Sequence, residues 1–251
     1  MDSLADQALA TLLVSLRVAP ALGFAPPFTL LRAPATVRLM LAISLAAWLV
    51  AGFPDQTWKS GFRESGLFMA GIGELFIGLS VALSLQLAFA ALLTAGRGID
   101  IQAGFGLAAL IDPGTRAPLP LVGTLFVYAA GAIFFATTGP ADLLAVYAAS
   151  IAKVPLGGAS IGGHIGTLAA FLSSIFLMAF GSAGMVMLAL FLLDLSIAFM
   201  SRTLPQMNVL LLGFQVKTLA TLLLLPIAIS LSGALFLRML RYALETAAEM
   251  V

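Results

Sequence analysis

Residues 165 to 193 contain no charged side chain, and residues 66 to 96 contain one, Glu74. Uninterrupted apolar stretches of this length restrict a chain to few solutions. Either helices cross a hydrocarbon layer about 30 Å thick, or they pack inside a large apolar assembly. A soluble enzyme is excluded, because soluble domains carry about 25% charged residues, whereas these 251 residues are 9% charged and 61% hydrophobic. The pattern predicts an all-α chain of integral-membrane type, organised as helical hairpins in a single domain over 1–251.

Seven apolar runs predict helices at roughly 8–24, 39–53, 66–96, 117–138, 141–152, 165–193 and 218–237. Their breaks are chemical. Ala25-Pro26-Pro27, Pro54, Gly139-Pro140, Pro155 and Pro205 remove backbone donors or fix φ, and Pro226 lies inside the last run. The run 39–53 reaches only about 22 Å as a helix, short of a comfortable span. Twelve prolines and twenty-four glycines suit broken, closely packed helices. The first run follows Asp2 and Asp6 and holds Arg17, so no cleaved signal peptide is expected. The tail 238–251, with Arg241 and Glu245 at i,i+4, predicts a solvated helix end.

The most irregular stretch is 97–120. Gly98, Gly104 and Gly106 lead to Asp112-Pro113-Gly114, a turn signal in which Asp accepts from the backbone, Pro fixes φ and Gly permits positive φ. Pro118 and Pro120 follow. The stretch is too apolar for a solvated loop and too short to span, which predicts a buried re-entrant segment. A six-span topology gives no charge bias: Arg32, Arg38, Arg97, Arg116, Arg202 and Lys217 fall on one side, and Lys59, Arg63, Lys153, Arg238 and Arg241 on the other.

The formal net charge of +1 leaves no basic stripe for nucleic acid. With no cysteine and a single histidine, His164, thiolate and multi-histidine metal sites are excluded. No GxSxG, HExxH, phosphate-binding GxxxxGK[ST] or strand-linked GxGxxG occurs, so catalysis has no candidate residue and no cofactor is expected.

Each remaining candidate has two readings. A carboxylate in hydrocarbon needs a partner, so Glu74 is either a proton or ion relay or one half of a structural pair with an arginine elsewhere. Arg97 and Asp100, at i,i+3, can neutralise one another locally. Asp194 and Arg202 lie eight residues apart, about 12 Å along a helix, so they do not pair directly. Gly158, Gly162 and Gly166 fit either close helix packing or the loop that Pro155 starts. His164 is a pH switch or an incidental connector residue. Met178, Met185 and Met187 are a deformable lining or ordinary packing.

Three groups of residues then converge. Gly73-Glu74-Leu75, Gln86, Phe89, Ala95-Gly96, Ile99, Gln102, Gly104 and Asp112-Pro113-Gly114 form the first. Leu193-Asp194, Arg202, Pro205-Gln206-Met207-Asn208, Gly213-Phe214 and Lys217 form the second, and Arg17, Pro20 and Pro26 the third. In order and spacing they resemble the FliR/SpaR family of export-gate membrane proteins of flagellar and virulence type III secretion systems. Two places depart from the family pattern: Gly139-Pro140, where a Gly-His is common, and Phe214-Gln215-Val216-Lys217, where Phe-Pro-x-Lys is common.

The resemblance implies broken, tilted helical hairpins in a hetero-oligomeric export gate in the bacterial inner membrane, at the base of the flagellum or secretion apparatus, with flagellar use favoured over virulence use. The implied partners are FliP-like and FliQ-like subunits, FlhB-like and FlhA-like export proteins, membrane lipid, and unfolded secreted proteins as cargo. It also implies a channel plug at 104–120, with Gly104, Phe105, Gly106, Leu110, Asp112, Pro113 and Gly114, and places Arg17, Glu74, Arg97, Asp194, Arg202 and Lys217 at subunit contacts or as buried charges. The rival reading is a secondary transporter for a small solute with Glu74 as the coupling carboxylate. A further alternative is an inert membrane scaffold.

Overall fold

The computed structural model describes residues 4–31, 33–57, 66–105, 120–158, 165–203 and 209–250, and among these there is no strand. The helices are α1 (Leu4–Phe24), α2 (Ala35–Gly52), the single turn α3 (Pro54–Thr57), α4 (Leu67–Ala103), α5 (Leu121–Ala136), α6 (Gly139–Lys153), α7 (Ile165–Thr203) and α8 (Val209–Glu249), with a 3₁₀ turn at Phe28–Leu31. The all-α membrane-type expectation holds. Among the described residues five helices are long and apolar enough to cross a membrane, or six if α5 and α6, bent by 72° at their break, count as one span.

The longest helices outrun the apolar runs that predict them, whereas α5 is shorter than its run 117–138. α4, α7 and α8 have 37, 39 and 41 residues, which at 1.5 Å per residue is about 55–60 Å, nearly twice a hydrocarbon core. In particular α4 continues past Gly96 through Arg97 to Ala103, so the first part of the predicted irregular stretch is helical. Charged residues mark the end of an apolar run, but only a missing backbone partner ends a helix. α4 stops at Gly104, whose φ of 89° is open to glycine without strain. There Gly104 N–H reaches Ile101 O at 3.2 Å and Phe105 N–H reaches Asp100 O at 2.9 Å, the paired bonds of a Schellman motif.

The described chain divides into two compact units. Unit one takes Met1–Ala88, Phe134–Ser173 and Leu240–Val251; unit two takes Phe89–Ile133 and Ser174–Met239. In unit one α1 packs against α2 and α4 around Val14, Val18, Ala46 and Leu49, with Tyr147 and Ile151 of α6 also fully buried. Phe28 meets Phe134 and Phe135 edge-on, with ring centroids 6.0 and 5.8 Å apart. In unit two Phe126 of α5 lies edge-on to Phe236 of α8 at 5.5 Å, among buried Leu92, Ile99 and Val186.

In each unit α4 makes a helix contact so close that only glycine fits. A Cβ on Gly78 of α4 would lie 2.3 Å from the Arg17 carbonyl oxygen of α1. A Cβ on Gly96 of α4 would lie 2.3 Å from Gly123 Cα of α5. Small residues that let helix backbones touch are the usual device where no hydrophobic driving force holds helices together. The predicted glycine series plays no such part at its described positions: a Cβ on Gly166 would meet nothing within 4 Å, and Gly158 closes the turn after α6. Gly162 lies outside the described residues.

Candidate functional site

Where α1 crosses α4 at Gly78, Arg17 is brought one turn from Glu74. The arginine Nε donates to Glu74 Oε2 at 2.5 Å, and both side chains have 0% exposure. Nη1 donates to Ser150 Oγ and Nη2 to the Val154 carbonyl, each at 3.1 Å. The other carboxylate oxygen of Glu74 accepts Gly157 N–H at 3.2 Å, from a turn in which Gly157 has φ 78°. Every guanidinium nitrogen and both carboxylate oxygens are therefore engaged. The cluster joins α1, α4 and the end of α6, and its geometry is that of a structural clasp rather than an accessible ionisable site. Ser150, Val154, Gly157 and Gly78 were not among the sequence candidates. A glycine four residues after an acid in an apolar helix was the available signal, because it puts a close contact and a charge on one face.

A second polar cluster surrounds the last turns of α4. Asp100 is 4% exposed, and its carboxylate accepts Val122 N–H in the first turn of α5, at 3.0 Å to Oδ1 and 3.2 Å to Oδ2. It thus caps a helix 21 residues further along the chain instead of pairing with Arg97, which is exposed. This corrects the local pair expected from their spacing. The orphan N–H groups of a helix start, and the positive end of its dipole, outcompete a guanidinium that can point to a wetter surface.

Gln102 Nε2 donates to the Met187 carbonyl of α7 at 3.0 Å, and Lys217 of α8 donates to the Gln102 carbonyl at 3.4 Å. Lys217 also pairs with Asp194 of α7, with side-chain exposures of 20% and 40%. Asp194 therefore finds a partner within its own chain. Three of the last four carbonyls of α4 are occupied, by Phe105 N–H, Gly104 N–H and Lys217.

The same use of cations recurs. Arg38 donates to Gly23 O at the end of α1 (2.6 Å), and Lys153 donates to Ala248 O at the end of α8 (2.8 Å). With Arg17 on Val154 O and Lys217 on Gln102 O, four basic side chains among the described residues reach carbonyls at helix ends. In a chain with little access to water, these acceptors need such donors.

Among the plug candidates, Gly104 and Phe105 form the capped end of α4, while Gly106, Leu110, Asp112, Pro113 and Gly114 lie outside the described residues, as does His164. Arg202 sits exposed in the last turn of α7, where a cation favours the helix dipole. Met185 is 46% exposed, whereas Met187 packs beside Gly98. No group of three or more potential metal ligands occurs among the described residues.

Comparison with known proteins places this geometry. The profile of the family described as bacterial export proteins, family 1, matches residues 8–243. A flagellar biosynthetic protein FliR from Bacillus subtilis is 28% identical over 98% of this chain and 96% of its own length. FliR of Escherichia coli K12 is 27% identical over 88% of the chain and 81% of the relative, and FliR of Aquifex aeolicus 27% over 90% and 88%.

Proposed function

Since the chain belongs to bacterial export protein family 1, we propose that it is a channel-forming subunit of the flagellar export apparatus, built into a gate with FliP-like and FliQ-like membrane subunits. Its coarser role follows from the family: it is a component of the flagellar protein-export apparatus in the inner membrane at the flagellar base. In the proposed gate unfolded flagellar proteins pass through the centre, the segment 104–120 closes the resting channel, and FlhB-like and FlhA-like proteins engage the assembled complex.

The observation that carries this reading is the profile match along nearly the whole chain, together with full-length similarity to a flagellar relative. The surface supports it. Only 22% of the spanning window of α2, 28% of that of α8 and 33% of that of α7 is buried within the chain. Large side chains such as Trp48, Leu177, Phe199 and Leu223 stand exposed on these helices, available to partner subunits or lipid. The transporter alternative loses support from Glu74, which has no accessible surface and whose two oxygens already accept from Arg17 and Gly157.

Co-expression with the FliP-like and FliQ-like proteins of the same genome, followed by affinity purification and native mass measurement, tests the assembly. A defined hetero-oligomer is expected; a stable monodisperse monomer that ignores both subunits overturns the proposal. For the plug, deleting residues 106 to 116 is expected to make the assembled complex conduct ions, and an intact barrier in that variant rejects it.

A further inference from the structure

We propose that Asp100 is the positioning residue of the 104–120 segment: bonded at both ends of it, Asp100 fixes a neck, so that opening of the channel moves residues inside the segment and leaves the end of α4 and the start of α5 in place. This rests on the reading of 104–120 as the channel closure given above and names what holds it.

One residue meets the chain where it leaves and where it returns. The Asp100 carbonyl accepts Phe105 N–H at 2.9 Å, at the exit from α4, and the Asp100 carboxylate accepts Val122 N–H at 3.0 and 3.2 Å, at the entry to α5. Pro120, directly before α5, has no side-chain oxygen with which to cap the helix it precedes. Its carbonyl already accepts Thr124 N–H at 2.9 Å and the Thr124 hydroxyl at 2.6 Å. The cap that a Ser, Thr, Asn or Asp at 120 would supply locally comes instead from the far side of the segment. A local cap would only start α5, whereas this one also ties that start to the end of α4.

The backbones meet beside these bonds. A Cβ on Gly123 would lie 2.5 Å from the Leu93 carbonyl oxygen and 3.2 Å from Pro120 Cγ. Gly96, one turn before Asp100, is the other half of that contact. The end of α4 is in turn mounted on two further helices, through Gln102 Nε2 to the Met187 carbonyl of α7 and through Lys217 of α8 to the Gln102 carbonyl. All of these residues belong to the second unit. Moving either end of the segment would break several of these bonds at once, where little water can replace them. Displacement within 106–119 breaks none of them.

The test measures ion leak through the complex of this chain with its FliP-like and FliQ-like subunits, reconstituted in vesicles at matched abundance. Asp100→Ala should raise the resting leak about fivefold, the shift that loss of one helix cap allows. Asp100→Asn keeps an oxygen for Val122 N–H and should seal as the unsubstituted complex does. Ser150→Ala removes a buried hydrogen bond from the first unit and should stay sealed too, which separates positioning from a general loss of stability. A leak in either of these two variants as large as that in Asp100→Ala overturns the proposal. In the unsubstituted complex, hydrogen exchange at the Phe105 and Val122 amides should be slow both at rest and with a stalled cargo protein in the channel. A sealed Asp100→Ala complex beside a leaking deletion of 106 to 116 overturns the neck and leaves the plug standing, and a sealed deletion complex overturns plug and neck together. If Asp100→Ala does not assemble, exchange in the unsubstituted complex decides: faster exchange at either amide with cargo in place overturns the fixed neck.

Discussion

Glu74 in the first unit and Asp100 in the second use the same local arrangement with different partners. Each acid lies one helical turn from a glycine of α4, Gly78 or Gly96, where another helix comes into backbone contact. At Glu74 the approaching helix brings a full positive charge, Arg17; at Asp100 it brings only the N–H end of a helix, at Val122. A carboxylate buried in an apolar chain can thus be held by an ion or by a helix terminus. What separates the two solutions is what removal of the partner leaves behind. Without Arg17 a charged group would remain fully buried; without Asp100 a helix would lose one cap.

The largest effect is therefore expected from Arg17→Met, which strands Glu74. Breaking one partner of a buried pair costs about 3–5 kcal/mol, and detergent-solubilised chain should show a sharply lowered unfolding temperature and rapid protease digestion. The double variant Arg17→Met with Glu74→Leu should recover most of that loss, since a well-packed apolar pair can match a buried ion pair. A double variant as unstable as the single one would mean that the pair itself, not relief from an unpaired charge, holds the helices together.

Asp100→Ala tests the other half of the comparison. Loss of a helix N-cap costs about 0.5–2 kcal/mol, so its unfolding temperature should fall clearly less than that of Arg17→Met, with faster hydrogen exchange confined to the first turn of α5. A fall as large as that for Arg17→Met would remove the distinction between charge-held and dipole-held acids.

The smallest effect belongs to Asp194→Asn, because its ion pair with Lys217 is partly exposed, at 40% and 20%. Such pairs contribute about 0–1 kcal/mol, so unfolding should change little and the dependence on salt should be weak. A fall matching that for Asp100→Ala would show that Lys217 needs its carboxylate partner to hold the end of α4.

The helical class and most break points were legible because apolar runs and Pro-Pro or Gly-Pro pairs act locally. Gly139-Pro140 does separate α5 from α6, with Pro140 in the first turn of the new helix. Helix ends were less legible. α4 runs seven residues beyond its apolar stretch because its final carbonyls are satisfied by its own Schellman turn and by Lys217, a residue 115 positions from Gln102. The partner of Asp194 was hidden for the same reason: nothing in a local window connects it to Lys217 on α8. Arg17 and Glu74 stood out as charges in apolar runs, but the spacing of 57 residues between them carries no sign of the contact.

That spacing has a consequence in time. Chains emerge from the ribosome at about 5–20 residues per second, so Arg17 is made about 3–11 s before Glu74 exists to receive it, and the Ser150 and Val154 acceptors come later still. During that interval α1 carries an unsatisfied guanidinium into an apolar environment, which holds its arginine at the membrane surface or in the insertion machinery. The first helix of the chain is consequently among the last to be settled, and the order of synthesis is not the order in which this membrane protein becomes complete.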